Sequence, residues 1–130
     1  MLESVTFIGH VQSTLKDIKD CPLQEQENAP QAIVTIHAPF LKAINGLHAG
    51  MKVLLLTWLH KADREVLTTK PRNNPKAALT GVFATRSPDR PNPIGLHVAD
   101  ILEITDDGRI QVSNLEVLDG TPLIDIKPVI

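Results

Sequence analysis

Two guanidiniums, Arg86 and Arg90, sit in the run Thr85-Arg86-Ser87-Pro88-Asp89-Arg90-Pro91-Asn92-Pro93. Each proline fixes its own φ at about −65° and biases the residue before it toward extended backbone, so Ser87, Arg90 and Asn92 are confined. A stiff, donor-rich loop at a strand end is where binding sites tend to be built. The same residues also suit a structural proline-rich turn with solvated arginines. A second candidate is Leu118-Asp119-Gly120-Thr121. Asp119 could accept hydrogen bonds from hydroxyls or an ammonium, and Gly120 lets backbone approach a ligand closely, although Asp-Gly is also an ordinary β-turn. His60-Lys61 closes a long apolar run, where a lone histidine is often just a surface residue. The five histidines and one cysteine show no ligand spacing, so no metal is expected.

The elements that must hold these residues read as short strands. Ser4–Val11, Gln31–Ile36, Met51–Leu59, Gly81–Thr85, Leu96–Ile104 and Arg109–Leu118 are strand-like, with a short final strand over Ile124–Ile126. The nearly continuous apolar run Met51–Leu59 predicts a strand buried on both faces or central in a barrel. Asp106-Asp107-Gly108 is a hairpin signal. Pro39–Ile44 reads as a helical turn stopped by Asn45-Gly46, whereas 22–30 and 70–75 read as loops. Turn signals every ten to fifteen residues, without a long amphipathic helix, predict a mainly β fold: a small antiparallel β-barrel with a few short helical turns, in one domain over 1–130. There is no Gly-x-Gly-x-x-Gly turn, which argues against a dinucleotide-binding α/β domain.

Composition narrows the function classes. Aromatic residues make up only 3% of the 130, with no tyrosine, which disfavours a broad aromatic platform for single strands. A single cysteine, Cys21, excludes an intrachain disulfide framework and suits a reducing cytoplasm; its neighbours Asp20 and Pro22 offer no positive charge to make it a nucleophile. With no basic region ahead of an apolar signal core, and an apolar run of only Val53–Leu56, neither a signal peptide nor a membrane span is expected. The net charge of −2 hides an asymmetry: residues 60–96 carry seven lysines and arginines against three acidic residues, while 97–130 carry two against seven. A basic segment of this kind can attract phosphate, though solvated loop lysines are the plainer explanation.

The run Gly81-Val82-Phe83-Ala84-Thr85-Arg86-Ser87-Pro88-x-Arg90-Pro91-Asn92-Pro93-Ile94-Gly95-Leu96 resembles the signature of the TsaA-like (TrmO) family, S-adenosylmethionine-dependent methyltransferases acting on adenine-37 of tRNA. Leu118-Asp119-Gly120-Thr121-Pro122 through Asp125-Ile126-Lys127-Pro128 resembles its second block, and Ile8-Gly9-His10-Val11-Gln12-Ser13 a weaker opening one. The resemblance implies a β-barrel methyltransferase that forms a homodimer, binds S-adenosylmethionine near the subunit interface and acts on tRNA in the cytoplasm. It implies cofactor contacts at Pro22, Leu23, Gln24, His60, Lys61, Arg86, Leu96, Leu118, Asp119, Gly120 and Thr121, with Leu23 standing where the family usually has arginine. Arg86 could pair with the cofactor carboxylate in a fork geometry. A hydrogen-bond acceptor could help as the adenine's exocyclic nitrogen loses its proton, and Asp125 and His60 are the catalytic candidates. Arg90 and Lys127 are candidate substrate contacts. The better-described relatives carry a further domain after the barrel. A module that binds S-adenosylmethionine without transferring its methyl group, or a methyltransferase for a smaller substrate, is the alternative.

Overall fold

The chain's elements, in a computed structural model that describes residues 3–14, 31–70 and 74–130, are eight strands: β1 (Gly9–Gln12), β2 (Ala32–Ile36), β3 (Lys52–Trp58), β4 (Thr68–Thr69), β5 (Thr80–Gly81), β6 (Ile94–Ile104), β7 (Arg109–Val112) and β8 (Pro122–Pro128). Two short 3-10 helices, Ala38–Ile44 and Val82–Ala84, are the other elements among the described residues. In β3 and most of β6 every second side chain is buried and those between are half-buried or exposed, the period-two pattern of a sheet with one face inward. Six strands close in the order β1-β2-β7-β6-β3-β8, every pair antiparallel. The predicted small antiparallel barrel is the fold observed. Its interior is aliphatic: Val11, Val34, Val53, Leu55, Ile101, Ile110, Val112, Leu115 and Leu123 are all essentially inaccessible. Closure removes the open sheet edges that a flat six-stranded sheet would leave.

Several boundaries moved. The first strand pairs only from Gly9, with Ile8 already bonded to the Leu123 carbonyl (2.9 Å). The strand expected over Gly81–Thr85 ends at Gly81, because Thr85 N–H turns back onto the Val82 carbonyl (3.0 Å) and closes a 3-10 turn. β7 stops at Val112 rather than Leu118: Asn114 has φ of 50°, a left-handed residue that breaks the ladder. The final strand is longer than expected, since β8 pairs with both β1 and β3. β3 is buried on its inner face only; its outer face, Leu54, Leu56 and Trp58, is half-exposed in the single chain. The β6–β7 hairpin turns at Asp106-Asp107-Gly108 as predicted, with Gly108 at φ +89°.

The barrel has two rims. Because neighbouring strands alternate in direction, β1, β3 and β7 end at one rim, and β2, β6 and β8 start there. The β1–β2, β3–β6 and β7–β8 connections therefore all leave from this rim.

Candidate active site

The β7–β8 connection carries Leu118–Thr121, and β1 fixes it at the rim. Gly120 N–H donates to the Val11 carbonyl (2.7 Å) and Val11 N–H to the Thr121 carbonyl (2.9 Å). Asp119 Oδ1 accepts from Ser13 N–H (3.0 Å), and Thr121 Oγ1 donates to the Leu118 carbonyl (2.6 Å). Thr121 is buried, and Asp119 and Gly120 are exposed. Gly120 has φ of +85°, a region that L side chains rarely adopt, and a Cβ there would meet nothing within 4 Å. The turn thus presents bare backbone at Gly120 to open space, beside a carboxylate anchored by Ser13.

The described parts of the β3–β6 connection, residues 59–70 and 74–93, form one excursion from the same rim. Its two halves are laced together. Leu59 N–H donates to the Pro93 carbonyl (2.8 Å) and Asp63 N–H to Asp89 Oδ1 (2.8 Å). Arg64 donates through Nε to the Pro91 carbonyl (2.7 Å) and through Nη2 to Asn92 Oδ1 (3.2 Å), while its guanidinium lies 5.0 Å from the Trp58 ring. Farther out, β4 pairs with β5, and Val82 N–H donates to the Leu67 carbonyl (3.0 Å).

Within the proline loop, the two arginines divide. Arg90 donates through Nε to the Ser87 carbonyl (2.7 Å) and through Nη2 to the carbonyls of Val82 (2.7 Å) and Thr85 (2.5 Å). The residue expected to face substrate is a clasp for its own loop. Arg86 is exposed and pairs with no other described residue. His60 and Lys61 flank the excursion at the end of β3. His60 is exposed by area, but partial desolvation of its ring, and secondarily the Lys61 charge beside it, hold its pKa below the usual histidine value of 6.5. Its ring is therefore neutral at physiological pH and can accept a hydrogen bond.

The remaining predicted residues lie on the barrel's outer wall. Leu96, Leu56 and Asp125 form one row across β6, β3 and β8, and Val98, Leu54 and Lys127 the next. A register shift between Leu56 and Thr57 leaves Ile124 as an extra residue in β8 and turns Asp125 outward. There Asp125 Oδ1 accepts from Ile126 N–H (2.9 Å), and Oδ2 lies 3.6 Å from Lys127 Nζ. His60 and Asp125 are thus not brought together within one chain. Pro22, Leu23 and Gln24 lie outside the described residues, as does Cys21.

Three features escaped the sequence. Ser13 holds Asp119 through its backbone, a role no side chain announces. His97 and Thr57, both buried, meet at 2.9 Å inside the barrel (Nε2 to Oγ1); the inward phase of β6 could have placed His97. An outer-wall groove of about 380 Å³ is lined by Gln12, Ser13, Thr14, Gln31, Ala32, Ile33, Arg109 and Gln111 and reaches the rim beside Ser13. Among the described residues no group of three or more potential ligands could hold a metal ion, and no helix is long and apolar enough to cross a membrane.

A closed six-stranded barrel with a glycine turn, an unpaired guanidinium and a neutral histidine around one rim defines a small-ligand-binding β-barrel. The chain belongs to the family described as the tRNA-methyltransferase O N-terminal domain, which it matches over residues 10–130. A probable S-adenosyl-L-methionine-binding protein of Methanothermobacter thermautotrophicus is 40% identical over 121 residues, covering 93% of this chain and 85% of the relative. An S-adenosyl-L-methionine-binding protein of Archaeoglobus fulgidus is 38% identical over 120 residues, covering 92% and 84%. The crystal structure of TrmO from Pseudomonas aeruginosa superposes with a TM-score of 0.77 at 33% identity. All of this chain is covered by that match but only 55% of the TrmO chain, so the chain spans about half the length of that protein.

Proposed function

We propose that this chain is an S-adenosylmethionine-dependent methyltransferase acting on the N6 position of threonylcarbamoylated adenine-37 in tRNA. The observation that carries the reading is the convergence of the Asp119–Gly120 turn, unpaired Arg86 and neutral His60 on connections from one rim of a barrel of this family. The donor set fits the cofactor. Arg86 offers a planar fork for its carboxylate, Asp119 an acceptor for ribose hydroxyls, and Gly120 a backbone that a ligand can approach. When bound, the cofactor supplies a methyl group made electrophilic by its sulfonium. The protein's task is then positioning, which can contribute on the order of 7–11 kcal/mol in well-oriented reactions. His60, uncharged, is an acceptor for the proton leaving the adenine nitrogen. Asp125 is the other acceptor, and it stands on the outer wall.

That division between rim and wall supports a homodimer. Leu96, Asp125 and Lys127 join the rim residues of a site only if another subunit covers their wall. The wall itself is apolar: Ile94, Leu96, Val98 and Leu102 are each more than 40% exposed, beside Leu54 and Leu56. Such a patch is the usual mark of an interface, and a two-fold axis would lay it on its own copy. We read residues 1–130 as one domain of this cytoplasmic enzyme, with Pro22, Leu23 and Gln24 also contributing to the cofactor site. Lys127 on the wall is a second cation for tRNA; Arg90 serves tRNA by keeping its loop in shape.

Mass spectrometry of tRNA incubated with protein and S-adenosylmethionine tests the reading. A new methyl group on threonylcarbamoyladenosine is the expected result. Cofactor binding with no methyl transfer to any tRNA or small acceptor would leave a binding module instead, and a methyl on another acceptor would reassign the substrate.

A further inference from the structure

Phe83 is 84% exposed, the most exposed aromatic residue among those described, and it does not sit on a floppy segment. It lies in the Val82–Ala84 turn, between Val82, which is 2% exposed, and Thr85. The carbonyls on both sides of it, those of Val82 and Thr85, are held by the Arg90 guanidinium. Thr85 adds a backbone and a hydroxyl hydrogen bond to the Val82 carbonyl, both 3.0 Å. A chain that clasps a turn this firmly while leaving its phenyl ring in water is presenting the ring. The same excursion exposes Leu67 and Leu79, each at 66%.

The net charge of the excursion selects the occupant. Arg86 follows three residues later in the clasped loop, and Lys76 lies in the connection between β4 and β5. Neither side chain pairs with another described residue, although Lys76 N–H donates to Asn74 Oδ1 (3.0 Å). Three acids share the excursion, Asp63, Glu65 and Asp89, against seven lysines and arginines over residues 60–96, so the segment stays net positive. A flat apolar face on a net-positive segment matches an unpaired nucleobase and its flanking phosphates. A second copy of this chain fits poorly, because a two-fold contact would set this net-positive segment against its own equivalent.

We propose that Phe83 is a stacking platform for an unpaired base of the RNA acceptor, with the net-positive excursion, Lys76 included, holding the adjoining phosphates. The proposal rests on the tRNA reading above and names how that substrate is gripped. A single rigid ring is enough for one base, and it escapes the objection from low aromatic content, which concerns a platform for many.

The test is binding of a short anticodon stem-loop RNA carrying 2-aminopurine in its loop to the full chain, followed by fluorescence anisotropy and by 2-aminopurine emission. Phe83→Ala should weaken binding on the order of tenfold, the loss expected for one base–aromatic stack. Phe83→Leu should be nearly as weak, because it keeps the apolar area and loses the π-face, whereas Phe83→Trp should restore binding. Emission should respond to the wild type and the Trp variant only. The salt slope should stay unchanged in the Phe83 variants and fall by about one in Lys76→Gln. Melting temperatures check that the variants are folded. Wild-type affinity in Phe83→Ala or Phe83→Leu, no RNA binding by the wild type, or a loss of dimer mass on substituting Phe83 would each overturn the proposal. Failed methyl transfer with this Phe83 dependence intact would sink the methyl-acceptor reading and leave the stack standing. Methyl transfer to tRNA with wild-type affinity in Phe83→Ala would sink the stack alone.

Discussion

Removing the Arg90 guanidinium should unclasp the proline loop without touching the barrel. Arg90→Ala deletes three hydrogen bonds, to the carbonyls of Ser87, Val82 and Thr85. The Val82 carbonyl keeps Thr85 N–H and Thr85 Oγ1 as donors, so the acceptors left bare are those of Thr85 and Ser87. Each bond contributes about 0.5–1.5 kcal/mol net, and more where the donor is charged. Arg90 is half-buried, so water can replace part of what is lost, and the total comes to about 2 kcal/mol. For a domain of this size that corresponds to a fall in Tm of roughly 7 °C if the loop melts together with the barrel. If the loop opens by itself, Tm moves less and amide exchange speeds up at Thr85 and Asp89 instead. Calorimetry and hydrogen exchange together therefore measure the clasp. Arg90→Lys should recover little, since an ammonium cannot reach three carbonyls arranged for a fork. RNA affinity should fall in Arg90→Ala with its salt slope unchanged. An unaltered Tm together with unaltered exchange over 82–93 would show that the clasp is idle, and a slope reduced by about one would show Arg90 to be a phosphate contact after all.

Arg86→Ala should leave Tm unchanged, since Arg86 has no partner among the described residues, yet reduce S-adenosylmethionine affinity by roughly tenfold or more; titration calorimetry giving equal affinities would remove Arg86 from the site. Leu96→Asp puts a charge into the apolar wall and should convert the dimer to monomer by light scattering at micromolar concentration; a wild type that is already monomeric refutes the dimer. His60 should set the acid limb of the methyl-transfer rate. Because its folded pKa is lowered, it stays neutral to below pH 6.5, so the limb should lie under that value and vanish in His60→Gln. The same shift has a stability sign: the unfolded chain takes up the proton first, so His60's contribution is complete above its ordinary pKa and is lost as pH falls through 6.5 toward the folded value. Gly95→Ala would place a Cβ 2.5 Å from Thr57 Oγ1 and 2.6 Å from His97 Nε2. That overpacking should cost about 1–3 kcal/mol by chemical denaturation, and a neutral result would mean the Thr57–His97 pair can yield.

What the sequence discloses about this fold is local. A nearly continuous apolar run marks β3, and Asp106-Asp107-Gly108 marks the β6–β7 hairpin, because such runs and turn chemistry depend on neighbours in the chain. Closure depends on pairs far apart, β2 with β7 and β3 with β8, and no local pattern states them. The 3-10 turn at Val82–Ala84 was hidden for a related reason: its residues are strand formers, and a guanidinium eight residues away fixes their conformation. The direction of Asp125 was lost to one irregularity. Strict alternation from inward-facing Leu123 would turn Asp125 inward, and the extra residue at Ile124 reverses it.

The motifs themselves were legible, yet their convergence was not. They lie near residues 13, 60, 86 and 119, separated by most of the chain. In a closed antiparallel barrel, successive connections between paired directions alternate between the two rims. β1–β2, β3–β6 and β7–β8 share a rim, whereas β2–β3 and β6–β7 share the other. The polar motifs fall on the first set, and the second contains a short 3-10 helix and a tight hairpin. On the proposed reading, the first rim is the end that carries chemistry and the opposite rim the end that closes the fold. Substitutions should divide accordingly: those at the first rim should change ligand affinity with little change in stability, and those in the aliphatic interior should do the reverse. Arg90 is the informative exception, because a side chain that touches only its own loop links the two effects.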